Sequence, residues 1–128
     1  MFKFSEKSEK RMLGVHDDLV KVVRRALEIS SIDFAVLEGV RTLERQKQLL
    51  KAGASTTLRS RHLTGHAIDL GAIVDGQVRW DWGLYYKIAA AMKRAAKELK
   101  IGIEWGGDWK KFKDGPHFQL SWAKYPLK

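Results

Sequence analysis

The sequence contains no cysteine. That absence removes disulfide frameworks, thiol nucleophiles and cysteine-type zinc fingers together. Long apolar runs are missing too: hydrophobic stretches extend for a few residues only, far short of the roughly 20 needed to span a bilayer. The opening stretch from Met1 to Lys7 lacks the apolar core of a secretory signal, so the expectation is synthesis in the cytoplasm without that export route. No internal repeat, low-complexity tract or Pro/Ser-rich linker interrupts the chain, and 128 residues hold one core rather than two.

What is present is a globular balance, with 45% hydrophobic and 30% charged residues. Basic residues number 24 and acidic ones 15, a net charge of +9 with an isoelectric point near 9.9. Such a surplus favours polyanions: nucleic acid, anionic lipid or an acidic cell-wall polymer. The basic residues are scattered rather than striped, and no helix-turn-helix, zinc-finger or RNA-binding signature accompanies them. Nucleic acid is therefore not expected as a partner.

Apolar positions from Ser8 to Ser30 (Met12, Val15, Leu19, Val22, Val23, Ala26, Leu27, Ile29) recur at three- and four-residue steps and predict one amphipathic helix, capped by Ser5 or Ser8. Phe34–Leu37 reads as a short buried strand. Thr42 caps a second helix that runs to about Ala52 and stops at Gly53. After a polar, irregular stretch from Ala54 to Gly65, Ala67–Leu70 reads as a strand. Asp75-Gly76 is a hairpin turn signal between Ala72–Val74 and Val78–Trp80. Trp82–Leu99 is a further amphipathic helix, and Ile101–Trp105 and His117–Leu120 are strands. The order predicts an α+β fold, a small, mostly antiparallel sheet packed against helices.

Four histidines are available: His16, His62, His66 and His117. His16 falls within the predicted first helix without a companion and reads as structural. The others sit in polar, glycine-bearing segments, where sites are usually built. His62 and His66, four apart, would share one face of a helix, but the helical zinc-peptidase signature needs Glu directly after its first His, and Leu63 stands there. Gly65 also disfavours a helix by about 1 kcal/mol relative to Ala. The other reading joins His62 from the loop to Asp69 from the following strand, with Gly65 turning the chain between them. A third ligand, for which His117 is the candidate, would leave one tetrahedral position of Zn²⁺ open for water. Asp114 lies three residues before His117, across a Gly-Pro turn.

Ser60-x-His62-x-x-Gly65-x-Ala67-x-Asp69, followed by Asp114-x-Pro116-His117, resembles the zinc peptidases of the D-alanyl-D-alanine carboxypeptidase and dipeptidase family, and most closely their L-alanyl-D-glutamate endopeptidase branch known from phage endolysins. Glu38-Gly39-Val40-Arg41-Thr42-x-x-x-x-Gln46 is similar to the segment that carries the family's active-site arginine. Trp105-Gly106-Gly107-Asp108-Trp109 is similar to the stretch before the last ligand. These matches span residues 35 to 122 and leave the first helix outside.

The resemblance implies a hedgehog/DD-peptidase-like fold and one Zn²⁺ per chain on His62, Asp69 and His117. It also implies Asp114 as general base and Arg41 as the residue that steadies the substrate carbonyl. Trp105 and Trp109, flanking glycines just before Asp114, are expected to line the pocket; the resemblance gives His66 no role, and it is read as a neighbour that either supports a ligand or touches substrate. Ser60 either binds substrate, as the motif implies, or satisfies loop amides. The implied activity is hydrolysis of peptidoglycan stem peptides between L-alanine and D-glutamate. Cleavage at D-Ala-D-Ala and a zinc-dependent binding module without turnover are the alternatives. The expected arrangement is one catalytic domain over residues 1–128, with no separate wall-binding module, no membrane insertion and a monomeric state. Action in the periplasm or cell wall would follow release through a holin-type pore.

Overall fold

The computed structural model describes residues 2–54, 60–111 and 113–126. Its helices are α1 (Glu6–Arg11), α2 (Asp17–Ile29), α3 (Leu43–Lys51) and α4 (Trp82–Leu99). Its strands are β1 (Asp33–Glu38), β2 (Ala67–Val74), β3 (Gln77–Arg79), β4 (Ile103–Trp105) and β5 (His117–Leu120). The strands form one antiparallel sheet in the order β1-β2-β5-β4, with β3 paired to β2. The fold is the α+β arrangement that the sequence predicts. Part of the polar stretch expected between Ala54 and Gly65, positions 55–59, lies outside the described residues.

Two-residue periodicity decides what each face of the sheet carries. Phe34 and Val36 on β1, Ile68, Leu70 and Ala72 on β2, and Phe118 and Leu120 on β5 are buried in a single core. Leu19, Val22, Val23 and Ala26 of α2 and Ile88, Met92 and Ala95 of α4 close that core. Burying each large apolar side chain contributes about 1.5–3 kcal/mol. Alternation then sets Asp69, His117 and Gln119 on the sheet's other face, and there the site is built.

The first helix departs from expectation. Instead of one helix over Ser8–Ser30, the chain forms α1 and α2 with a sharp turn at Gly14, whose φ is +83°. The apolar rhythm runs straight across this break, so periodicity alone cannot reveal it. Its cause is tertiary. A Cβ on Gly65 would come within 2.4 Å of the Gly14 carbonyl oxygen, and one on Gly39 within 2.0 Å of the Arg11 oxygen. The turn thus docks directly onto two glycines of the site loops, and the His16 amide donates to the Gly65 carbonyl at 2.8 Å. His16 is consequently not within a helix. It is the N-cap of α2, its Nδ1 accepting from the Asp18 amide at 3.1 Å.

The other local signals act as read. Ser5 caps α1 and Thr42 caps α3 through side-chain oxygens. Asp75 and Gly76 both take positive φ (51° and 77°), the requirement of the tight turn that joins β2 to β3. Among the described residues, no helix is long and apolar enough to cross a membrane.

Candidate metal centre

Asp69 and His117 are directly opposed partners in the β2–β5 ladder, so their side chains rise from the same face of the sheet. On the other side of β2, Asp69 is opposed by Glu38, because a bulge at Leu37 shifts the β1 register by one residue. Gly71 makes room for that bulge, since a Cβ there would lie 2.8 Å from the Leu37 side chain. Three neighbouring strands therefore present Glu38, Asp69 and His117 in a row.

His62 arrives from a single 3-10 turn, Arg61–Thr64. Ser60 starts this turn by accepting from the His62 amide at 3.2 Å, and Gly65 ends it with φ +76°. His62 Nε2 lies 3.2 Å from Asp69 Oδ1, and His117 Nδ1 lies 3.3 Å from the same oxygen. The two imidazole centroids are 5.1 Å apart. Among the described residues, His62, Asp69 and His117 are the group able to hold a metal ion, with all their ligand atoms within 4.8 Å of one another.

The donor set suits zinc in chemistry and in size. Tetrahedral Zn²⁺ with bonds of about 2.0 Å sets neighbouring ligand atoms about 3.3 Å apart, which is the spacing Asp69 Oδ1 already has to both nitrogens. Each imidazole also has its remaining nitrogen engaged. His62 Nδ1 is 2.8 Å from the Gly39 carbonyl oxygen, an acceptor only, so this nitrogen carries the proton and Nε2 keeps its lone pair for the site. His117 Nε2 is 2.8 Å from Gln119 Oε1, which likewise frees Nδ1. Such outer partners fix the tautomer and ring orientation of metal-binding histidines.

The charges follow the geometry. Burial, the largest single influence on Asp69, pushes its carboxyl up, but with protons on the ring nitrogens that face it the hydrogen bonds and charges of His117 and His62 together hold it well below the ordinary carboxylate range, and a bound cation would take the place of those protons. Burial pulls the His117 imidazole down, and Asp69, Gln119 and Asp114 outweigh it, so the net shift is upward. The ionised form of Asp69 is thus the favoured one.

Arg41 is drawn into the same cluster. Its Nε donates to Glu38 Oε1 at 2.7 Å, Nη2 donates to the same oxygen, and Nη1 donates to Gln46 Oε1 at 2.6 Å. Nη2 lies 3.8 Å from Asp69 Oδ2, and the side chain is only 10% exposed. Glu38 and the fully buried Gln46 therefore hold the guanidinium beside the ligands.

Asp114 begins the turn Asp114-Gly115-Pro116-His117, closed by the His117 amide donating to the Asp114 carbonyl at 3.2 Å. Its own amide donates to the Gly106 oxygen at 3.0 Å, and a Cβ on Gly106 would meet the Asp114 oxygen at 2.4 Å. Close approach at that glycine seats the turn. Burial first, and then the Asp69 charge, raise the Asp114 carboxyl against the opposing pull of His117, His62 and Arg41. Asp114 thus shares the electrostatic field of all three ligands.

The remaining expected residues separate. Trp109 stands at the site, its ring centroid 5.2 Å from that of His117. Trp105 does not form an open pocket wall. It is 4% exposed, stacks on Phe118 and donates from Nε1 to the Gly115 carbonyl at 2.8 Å, which braces the Asp114 turn from beneath. The Ser60 hydroxyl serves the His62 amide. His66 joins His16 instead of the ligands, with centroids 5.4 Å apart and Nδ1 on the Thr64 hydroxyl at 2.7 Å. The helical His62/His66 pair is accordingly not formed.

Sequence reasoning passed over Glu38, Gln119 and Tyr85. Gln119 was findable, because it lies two residues beyond His117 on a strand and so on the same face. Tyr85 of α4 is buried with its ring against Gly115, where a Cβ would sit 2.5 Å from Cδ2. Burial and the charges of Asp114, Asp81 and Asp69 raise its phenol.

Comparison with known proteins gives the chain its family. The L-alanyl-D-glutamate peptidase of Escherichia phage T5 is 38% identical over 112 residues, covering 84% of this chain and 82% of that protein. The crystal structure of the Serratia marcescens L-Ala D-Glu endopeptidase ChiX superposes with a TM-score of 0.93 at 52% identity, covering 98% of this chain and 95% of that one. The vancomycin-resistance D,D-dipeptidase VanXYg shares the fold at a TM-score of 0.52 and 23% identity, over 83% of this chain and 50% of its own. The family model for phage L-alanyl-D-glutamate peptidases matches residues 1–120, so the first two helices, which lay outside the motif resemblance, are part of the shared unit. With that match over nearly its whole length, the chain belongs to the phage L-alanyl-D-glutamate peptidase family.

Proposed function

We propose that this chain is a single-domain zinc endopeptidase that hydrolyses the L-alanyl-D-glutamate bond of peptidoglycan stem peptides. The observation that carries the reading is Asp69 held between two imidazoles whose outer nitrogens are already engaged, with the Arg41 guanidinium beside it and Asp114 within electrostatic reach. The relatives' names supply the bond.

Zinc held by His62, Asp69 and His117 would supply a Lewis acid that polarises the scissile carbonyl and brings the pKa of water from 15.7 to about 7. The chain's own groups do the rest. Asp114 accepts the proton of the attacking water on its carboxylate and returns it to the leaving amine of D-glutamate. Burial suits it to this exchange, because a raised carboxyl is a better proton acceptor than an ordinary one. Arg41, locked by Glu38 and Gln46, keeps a permanent positive charge where the carbonyl oxygen gains negative charge; removing such a donor typically costs about 10²–10³ in rate. Trp109 bounds the pocket beside His117. The net charge of +9 draws the enzyme to an anionic wall. Reaching that wall from the cytoplasm would use a holin-type pore.

Digestion of purified sacculi followed by mass spectrometry of the products tests the reading. Peptides that begin with D-glutamate, left behind by muramyl-L-alanine, are expected. Release of free D-alanine would assign a D,D-peptidase instead, and intact sacculi bound to zinc-loaded protein would mark a binding module.

The Gln119 bond gives a separate expectation. Gln119→Leu removes the acceptor that fixes the His117 ring while nearly conserving volume. Zinc affinity, measured by competition with a chromophoric chelator, should fall by about 10–100-fold. A change below twofold would deny Gln119 its positioning role.

A further inference from the structure

The first turns of α4 leave large aromatic surface in water. Trp82 is 42% exposed and Tyr86 58%, and Trp80, in the link that leads into the helix, is 60% exposed. Trp82 and Tyr86 are four residues apart on one helix face, with ring centroids separated by 6.1 Å. Both rest on the buried Trp105, at 6.4 and 5.5 Å, so their outer faces are held in fixed positions. Packing through buried groups ties this surface to the site. Trp82 touches Tyr85 edge-on at 5.6 Å, Tyr85 lies against Gly115, and Gly115 adjoins Asp114.

We propose that the Trp82–Tyr86 ring pair is a glycan subsite that stacks N-acetylhexosamine rings of the peptidoglycan strand. The inference rests on the function proposed above and specifies which side of the substrate it grips. L-alanine is the residue that joins a stem peptide to its sugar, so a bond on its carboxyl side lies one residue from the glycan. One extended residue spans about 3.3–3.6 Å. An enzyme that cuts there cannot avoid the saccharide, whereas one that cuts the far end of the stem can. Hexosamine rings present an apolar C–H face with hydrogen-bonding groups at the rim, which matches exposed indole and phenol rings. Because those rings are already packed, stacking orders little further side chain.

The test uses the full zinc-loaded chain and two substrates with the same scissile bond: an N-acetylated stem peptide and that peptide carried on its disaccharide. Wild type should favour the glycan-linked substrate in kcat/KM, and peptide-free glycan strands should inhibit it competitively. Trp82→Ala and Tyr86→Ser should each lower the ratio of the two kcat/KM values by about tenfold, the size of one lost aromatic stack, and should relieve the inhibition. Tyr86→Ser, at the most exposed ring of the pair, keeps the test open should Trp82→Ala fold poorly. A folded variant with an unchanged ratio overturns the subsite, as does a proportional loss on both substrates, which would mark the rings as structural. A concentration-dependent dimer that dissolves with Tyr86→Ser would give the surface to a second copy and overturn it equally. If wild type cuts both substrates alike, the subsite fails and the proposed function stands; if it cuts neither, the function itself fails.

Discussion

Asp114→Asn is expected to leave zinc content at the wild-type level while kcat falls by about 10²–10⁴, the range attributed to a positioned proton carrier. The side chain keeps its shape, and its backbone holds the turn, through the Asp114 amide on Gly106 and the His117 amide on the Asp114 carbonyl. His117 therefore stays in place. What disappears is the basic oxygen. KM for the stem peptide should move little, because the amide still fills the same space beside Asp69 and Arg41. Metal analysis by atomic absorption alongside steady-state kinetics separates the outcomes. A variant that loses zinc together with activity would place Asp114 among the ligands, and one that keeps full kcat would remove it from the chemistry.

His62→Ala is expected to abolish both zinc retention and turnover, and chelation of the wild type should reproduce the loss. An ion present at about 1,000 times its Kd stabilises the folded state by about 4 kcal/mol. For a domain of this size, that corresponds to a melting temperature higher by roughly 10–20 °C. Chelated wild type should lose this increment and still melt cooperatively, since the hydrophobic core between the sheet, α2 and α4 includes none of the three ligands. His62→Ala should show no difference between zinc and chelator. A wild type whose melting temperature ignores chelation would contradict the metal centre.

The chemistry was more legible in the sequence than the route by which the chain assembles it. Asp69 and His117 could be read because their segments carry compact signals: a glycine turn before one, a Gly-Pro turn before the other. Trp82–Leu99 could be read because its apolar stripe is long and its bounds coincide with α4. The break at Gly14 could not, since the stripe of α2 continues through it and the cause is contact with Gly39 and Gly65 more than twenty residues away. Glu38 was hidden for a related reason. Only the bulge at Leu37 turns it toward Asp69, and a bulge leaves no mark in hydrophobic alternation. Trp105 was misplaced because an indole beside glycines reads equally as pocket lining or as a brace, and the bond from Nε1 to Gly115 decides for the brace.

The opposition of Asp69 and His117 across β2 and β5 constrains how this gene can vary. Segments between the two strands are free to lengthen or shorten wherever they loop away from the sheet. A single codon gained between Pro116 and His117 is different: with the turn held in place, the imidazole would move to the core-facing position of Phe118, and the inserted residue would stand opposite Asp69 in its stead.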